Sequence, residues 1–141
     1  MPESKSFAYT DTHGLSDEMD FMPFLPVTLH LGKQKVSVAA LLDSGAGVNV
    51  LPYSVGLALG ANWNEQKIKI ALGGSLEKTE ARVILVTAFV EDFDPARLVF
   101  AWTQHDVSPV ILGQTNFFRE FDVYFFRARK TFEIRRNNGQ I

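Results

Sequence analysis

From Phe24 onward the apolar residues fall at every second position, and this period commits most of the chain to β-strands. Val27, Leu29 and Leu31 alternate with Thr28 and His30. Gly32-Lys33-Gln34 then interrupts, and Val36, Val38, Ala40 and Leu42 alternate again, which is the pattern of a β-hairpin. Residues 48–51 form a short apolar run, and the runs 67–72 and 77–90 flank Gly73-Gly74-Ser75 as a second, longer hairpin. Brief strands follow at 97–102 and 110–112, and a third hairpin joins 122–126 to 131–134. Helix is confined to a turn or two at 53–59, ended by Gly60, and another at 114–120. Many short strands at this spacing predict an all-β domain of sandwich or closed-barrel type with one or two short helices.

Composition bounds what such a domain can do. At 141 residues the chain has the length of one domain, and 46% hydrophobic content excludes a disordered polymer. No apolar run reaches the roughly 18–20 residues needed to cross a bilayer. A net charge of −2 argues against a nucleic-acid binder, and the absence of cysteine excludes disulfides, thiol nucleophiles and Cys-type zinc sites. The start MPESKSFAYT lacks the basic-then-apolar pattern of a signal peptide, so the expectation is a soluble, cytoplasmic protein. Glu3, Asp11, Asp17, Glu18 and Asp20 stand against Lys5 alone at the N-terminus. Residues 1–22 are therefore expected to be a flexible acidic arm, 23–136 the domain, and 137–141 a tail.

The stretch Leu42-Asp43-Ser44-Gly45-Ala46-Gly47-Val48 carries the most chemistry. A carboxylate set between two apolar strands is costly unless it is hydrogen-bonded or partnered. The Ser44 hydroxyl and the bare backbone of Gly45 can supply such bonds, and glycine admits a second backbone or a ligand at close range. On the residues alone, Asp-Ser-Gly is also ordinary turn chemistry, so a tight turn and a functional site both stay open.

Further landmarks follow in order: Leu72-Gly73-Gly74-Ser75-Leu76, then Val110-Ile111-Leu112-Gly113 leading into Gln114–Phe118, then Phe121–Phe125 and Phe132-Glu133-Ile134. With Asp43-Ser44-Gly45-Ala46, this series resembles the single-domain, retropepsin-like branch of the pepsin/retropepsin superfamily of aspartic proteases, over about residues 24–136. The resemblance implies a closed, barrel-like fold and an aspartic endopeptidase that uses no metal or cofactor. Asp43 would be catalytic, with Ser44, Gly45 and Ala46 supporting its loop. Leu72, Gly73, Gly74 and Ser75 would form a flap over an extended peptide or protein substrate. Such enzymes need two aspartates, and Asp11-Thr12-His13-Gly14 is not a second copy of the motif. A homodimer contributing Asp43 twice is therefore implied. Gly47-Val48 stands where retroviral members often carry acidic residues, so substrate contacts there differ. The C-terminal hairpin, followed by Asn137-Asn138-Gly139, is longer than in those enzymes, which points the dimer contact away from their interleaved termini.

Other readings are weaker. His13, His30 and His105 lack metal-ligand spacing. Neither Ser44 nor Ser75 lies in a nucleophile elbow, and no Gly-Lys-Ser/Thr follows Gly73-Gly74. Arg119, Arg127, Arg129, Lys130, Arg135 and Arg136 read as solvated hairpin edges, and the phenylalanines clustered between Phe117 and Phe132 as core and dimer contact. The alternative from another class is a non-catalytic dimerisation or peptide-binding module that keeps the fold.

Overall fold

The computed structural model of the chain describes residues 3–12, 21–72, 79–106 and 108–137. The first hairpin pairs β4 (Phe24–Leu31) with β5 (Gln34–Leu42) around Gly32 and Lys33. Gly32 has φ +59°, the left-handed entry a two-residue hairpin turn demands at its first position. Next come β6 (Asn49–Leu51), β7 (Lys69–Leu72), β8 (Thr79–Phe89), β9 (Ala96–Thr103) and β10 (Val110–Leu112). These seven strands make one sheet in the order β4-β5-β10-β6-β9-β8-β7, and β4 also pairs with β8. That extra pairing, Thr28↔Phe89 to His30↔Thr87, closes six of the strands into a barrel. Closure removes the edges an open sheet would expose.

Period two decides which side chains fill the barrel. Leu25, Val27 and Leu29 of β4, Ile84, Val86 and Ala88 of β8, and Leu98, Phe100 and Trp102 of β9 all point inward and are buried. One barrel end is covered by α1 (Tyr53–Ala58), which starts after Pro52 and ends in the turn at Gly60, φ +82°. Trp102 sets how close that helix lies: its Nε1 donates to the Tyr53 carbonyl at 3.2 Å. Its ring stacks on Tyr53 at 5.6 Å and meets Trp63 edge-on at 5.2 Å. A Cβ on Gly56 would sit 2.2 Å from the Trp102 indole, so only glycine fits there.

Beside the barrel lies a three-stranded sheet, β1-β12-β11, formed by β1 (Ser4–Ala8), β11 (Phe121–Phe126) and β12 (Thr131–Arg136). A short helix, α2 (Phe117–Glu120), leads into β11. Two further strands, β2 (Thr10–Asp11) and β3 (Phe21–Met22), pair with each other.

The N-terminal segment departs from the sequence expectation of a flexible acidic arm. Ser4–Ala8 runs antiparallel to β12, Phe7 stacks on Phe132 at 5.3 Å, and Tyr9 is buried. Lys5, Phe7 and Tyr9 keep a period-two alternation that acidic composition concealed. Lys5 also pairs with Asp92 at 3.1 Å, which holds the Asp92 carboxyl below, and the Lys5 ammonium above, their usual ranges. Asp17, Glu18 and Asp20 lie outside the described residues. Of the C-terminal cations, Arg136 serves the fold. It bridges to Glu120 at 3.0 Å and donates to the Asp94 and Pro95 carbonyls, fastening β12 to the β8–β9 turn. No helix among the described residues is long and apolar enough to cross a membrane.

Deleting residues 1–9 removes β1 and the Phe7 and Tyr9 side chains from the core. The expected loss is about 3–5 kcal/mol, the range for emptying a buried aromatic site. Urea titration measures it, and an unchanged midpoint would show that β1 contributes nothing.

Candidate active site

Asp43 follows β5 directly, at the start of the loop 43–48 that leads to β6. The loop is shaped by its own sequence. The Asp43 carboxylate accepts the Gly45 N–H at 3.0 Å, and the Asp43 carbonyl accepts the Ala46 N–H at 3.0 Å. This aspartate-headed turn places Ser44 and Gly45 at its exposed apex and leaves the Asp43 side chain half-buried.

The turn is held from behind by β10. That strand runs parallel to β5, Val110↔Ala40 to Leu112↔Leu42, and antiparallel to β6 at Ile111↔Val50. It is thus threaded between the two strands that flank the aspartate loop. The Asp43 N–H extends the pairing by donating to the Leu112 carbonyl at 3.0 Å. Past β10 the chain laces onto the loop residue by residue. Gln114 N–H donates to the Ala46 carbonyl and Thr115 N–H to the Gly47 carbonyl, both at 2.9 Å. Gln114 Nε2 reaches the Ser44 carbonyl at 2.8 Å, and Thr115 Oγ1 bonds the Gly47 carbonyl as well.

Gly113 makes this contact possible. A Cβ there would lie 2.5 Å from the Val48 carbonyl oxygen and 2.8 Å from that of Ala46. Gly45 and Gly47 differ: a Cβ at Gly45 would meet only the Asp43 Oδ1, at 3.4 Å, and one at Gly47 would meet nothing within 4 Å. The packing of the chain itself requires glycine at 113, admits a side chain at 45 and leaves open space at 47.

Asn49 is the positioning residue that sequence reading missed, because it hides inside the apolar run 48–51. Only 1% exposed, it accepts the Gly113 N–H through Oδ1 at 2.8 Å. Its Nδ2 donates to the Val99 carbonyl and to Asn116 Oδ1, both at 3.1 Å. Asn116 Oδ1 also accepts the Val99 N–H at 2.7 Å. The signal available was an amide within an otherwise aliphatic strand, since a buried amide is tolerated only when its bonds are satisfied.

Asp43, Ser44, Gly45 and Ala46 therefore form one loop. Leu72, the first residue of the expected flap, is buried at the end of β7 in a small apolar cluster with Val50, Ala81 and Ala101, against which Val48, Ile70 and Ile111 pack. This cluster joins the β7–β8 hairpin to the strands around the aspartate loop. Gly73, Gly74 and Ser75 lie outside the described residues. A cavity of about 70 Å³ adjoins the cluster, walled by Val48, Ile70, Val83 and Val99, with Asn49 and Asn116 at one side.

Asn49→Leu strands the buried Gly113 N–H and is expected to lower stability by about 1–3 kcal/mol. Gly113→Ala, which presses a methyl into two carbonyls, should cost at least as much. Gly45→Ala should stay within about 0.5 kcal/mol of wild type. Thermal or urea unfolding of the three variants tests the ranking, and equal losses at positions 45 and 113 would contradict it.

No protein-family model matches the chain, and no curated protein matches it in sequence. Similarity is found among solved structures. A retropepsin-like aspartic protease from Rickettsia conorii superposes with a TM-score of 0.65 at 12% identity, over 96% of this chain and 94% of that one. The EIAV protease complexed with the inhibitor HBY-793 aligns over 70% of this chain and 88% of its own, at 22% identity and a TM-score of 0.42. The barrel with its threaded β10, and its superposition over nearly the whole length of the Rickettsia structure, establish that the chain has a retropepsin-like fold.

Proposed function

We propose that the chain is an aspartic endopeptidase, active as a homodimer, in which two Asp43 carboxylates meet at a twofold axis. The observation that carries this reading is the setting of Asp43. Its half-buried side chain heads a loop fixed on the inner side by Gln114 and Thr115, with Asn49 holding Gly113 behind them, while the outer side around Gly45 and Gly47 is uncrowded. Space reserved beside a carboxylate suits the close approach of a peptide backbone and of a second loop. The likeness to the Rickettsia protease supports the same conclusion at the level of fold.

Two carboxylates a few ångströms apart cannot both ionise cheaply, so the pair holds one proton between them. The ionised member takes a proton from the water between them as its oxygen attacks the scissile carbonyl carbon. The protonated member hydrogen-bonds the carbonyl oxygen and transfers its proton to it, giving a neutral tetrahedral diol. Collapse breaks the C–N bond: the pair takes up one hydroxyl proton of the diol while the amine nitrogen receives the proton the pair already held, releasing a carboxylic acid and an amine and leaving one proton on the pair. Both oxygens of the new carboxyl are accounted for, and no covalent enzyme intermediate forms. Ser44 braces the loop of the other protomer, and Leu72, Gly73, Gly74 and Ser75 contact an extended substrate that binds as an added strand.

Wild-type protein should cleave unstructured peptides at mildly acidic pH, and Asp43→Asn should lower the rate by at least about a hundredfold. Specific activity should fall on dilution as the dimer separates. A peptide-library assay read by mass spectrometry checks both. Equal cleavage by the Asn variant overturns the assignment, and peptide binding without cleavage by either protein supports the non-catalytic module instead.

A further inference from the structure

The turn that carries Asp43 is one that the same residues can build in two ways. The hydrogen bond from the Ala46 N–H to the Asp43 carbonyl makes 43–46 a four-residue β-turn with Ser44 and Gly45 at its centre. A type I turn has a negative φ at the third residue, and a type II turn a positive one. The two forms are related by rotation of the central peptide alone. The ψ of the second residue changes by about 150° and the φ of the third by about 170°, while the bond closing the turn is kept. Sequence pulls both ways here: aspartate at the first position suits type I, and glycine at the third is what type II demands.

The observed turn is of the type I sense. Gly45 has no left-handed φ, and its N–H turns back onto the Asp43 carboxylate at 3.0 Å. The Ser44 carbonyl belongs to the same trans peptide unit and so points the opposite way, where Gln114 Nε2 donates to it at 2.8 Å. The Asp43 carboxylate and the Gln114 amide thus grip the two ends of one peptide group. A donor on the carbonyl also polarises the peptide and strengthens the bond its N–H makes. Flipped, the peptide would set the Ser44 oxygen toward the Asp43 carboxylate, acceptor against acceptor, and Gln114 Nε2 would lose that bond.

The other bonds to the loop do not choose between the two forms. Gln114 N–H on the Ala46 carbonyl and Thr115 on the Gly47 carbonyl hold the end of the turn, which a flip leaves in place. Ser44, Gly45 and Gln114 are all exposed, so burial contributes little to holding the central peptide. Gln114 alone reaches the middle of the turn by its side chain, from a backbone that is itself anchored. The residue before it, Gly113, gives its N–H to the buried Asn49.

We propose that Gln114 is a positioning residue: its side-chain amide locks the Ser44–Gly45 peptide with its N–H on Asp43, and release of that lock lets the peptide flip and disarm the loop. The consequence for cleavage rests on the reading of Asp43 as the catalytic carboxylate, whereas the flip itself does not. In the locked form the carboxylate is aimed by a charge-assisted bond from its own loop. In the flipped form a carbonyl oxygen pushes it off that aim. Gln114 touches the loop from the inner side, away from Gly45 and Gly47, so the effect falls on the chemical step more than on peptide binding.

Two readouts test the lock, one of them independent of cleavage. Q114M keeps the length of the side chain and removes its donor, and Q114K restores a donor. Because position 114 is exposed, both variants should keep native circular dichroism and melt within a few degrees of wild type. In 15N NMR spectra Q114M should move the Gly45 amide proton upfield and speed its exchange with solvent about tenfold, while Q114K stays near wild type. Adding Gly45→Ala to Q114M should return exchange to the rate of Gly45→Ala alone, since a side chain at the third position opposes the flipped turn. In the peptide assay Q114M should lower kcat about tenfold at little change in KM, as expected when about nine in ten loops are flipped, and Q114K should recover it. A Gly45 amide that ignores Q114M, or exchange that Gly45→Ala does not restore, overturns the lock. A Gly45 amide that responds in a protein that cleaves nothing keeps the lock and rejects the protease. An active enzyme whose kcat and Gly45 amide are both unmoved by Q114M does the reverse.

Discussion

The contact on which the site depends is the buried hydrogen bond from Gly113 N–H to Asn49 Oδ1. β10 is only three residues long and pairs with neighbours far from it in sequence, β5 on one side and β6 on the other. A strand that short cannot hold its place through ladder bonds alone. Asn49 fixes it by joining β6, β9 and the segment after β10 through one amide. Burying an amide costs several kcal/mol when its bonds are unmade, but here both ends of the Asn49 side chain are satisfied. The cost therefore falls on alternative arrangements of β10, which would strand that amide. With β10 fixed, the Asp43 loop has little freedom, since its carbonyls at 44, 46 and 47 are claimed by Gln114 and Thr115.

Local structure was largely legible in the sequence because it follows side-chain periodicity. The β4–β5, β7–β8 and β11–β12 hairpins fall where alternation flanks turn residues, and α1 ends at Gly60 as expected. What stayed hidden is nonlocal. Nothing in the residues of β4 announces that it will pair with β8 and close the barrel, or that β10 will lie parallel to β5. β1 was misread for a different reason. Acidic residues around it dominated the composition, while the alternation of Lys5, Phe7 and Tyr9 was too short to stand out. Asn49 was invisible because a single amide in an aliphatic run has meaning only once its partners are known.

The two kinds of glycine at the site separate structure from function more sharply than the aspartate does. Gly113 is required by the chain itself, since two backbone carbonyls occupy the space of any side chain. Gly45 and Gly47 face no such constraint, and neither has a left-handed φ. Their lack of side chains leaves a clear approach to the Asp43 carboxylate. Folding thus explains the rigid side of the loop, and the open side is what a substrate or a second loop would use.

The placement of β1 bears on how two such protomers would assemble. β12 already has β1 on one side and β11 on the other, all from one chain. A dimer that exchanged termini would have to displace β1, extracting Phe7 and Tyr9 from the core. A dimer that leaves β1 in place asks for no such rearrangement, because each small sheet is complete before the partners meet. On that assembly folding and association are separate steps, and dilution would leave folded protomers instead of unfolded chains. Activity would then be governed by concentration, while the Asp43 loop in each protomer stays built and waiting for its twin.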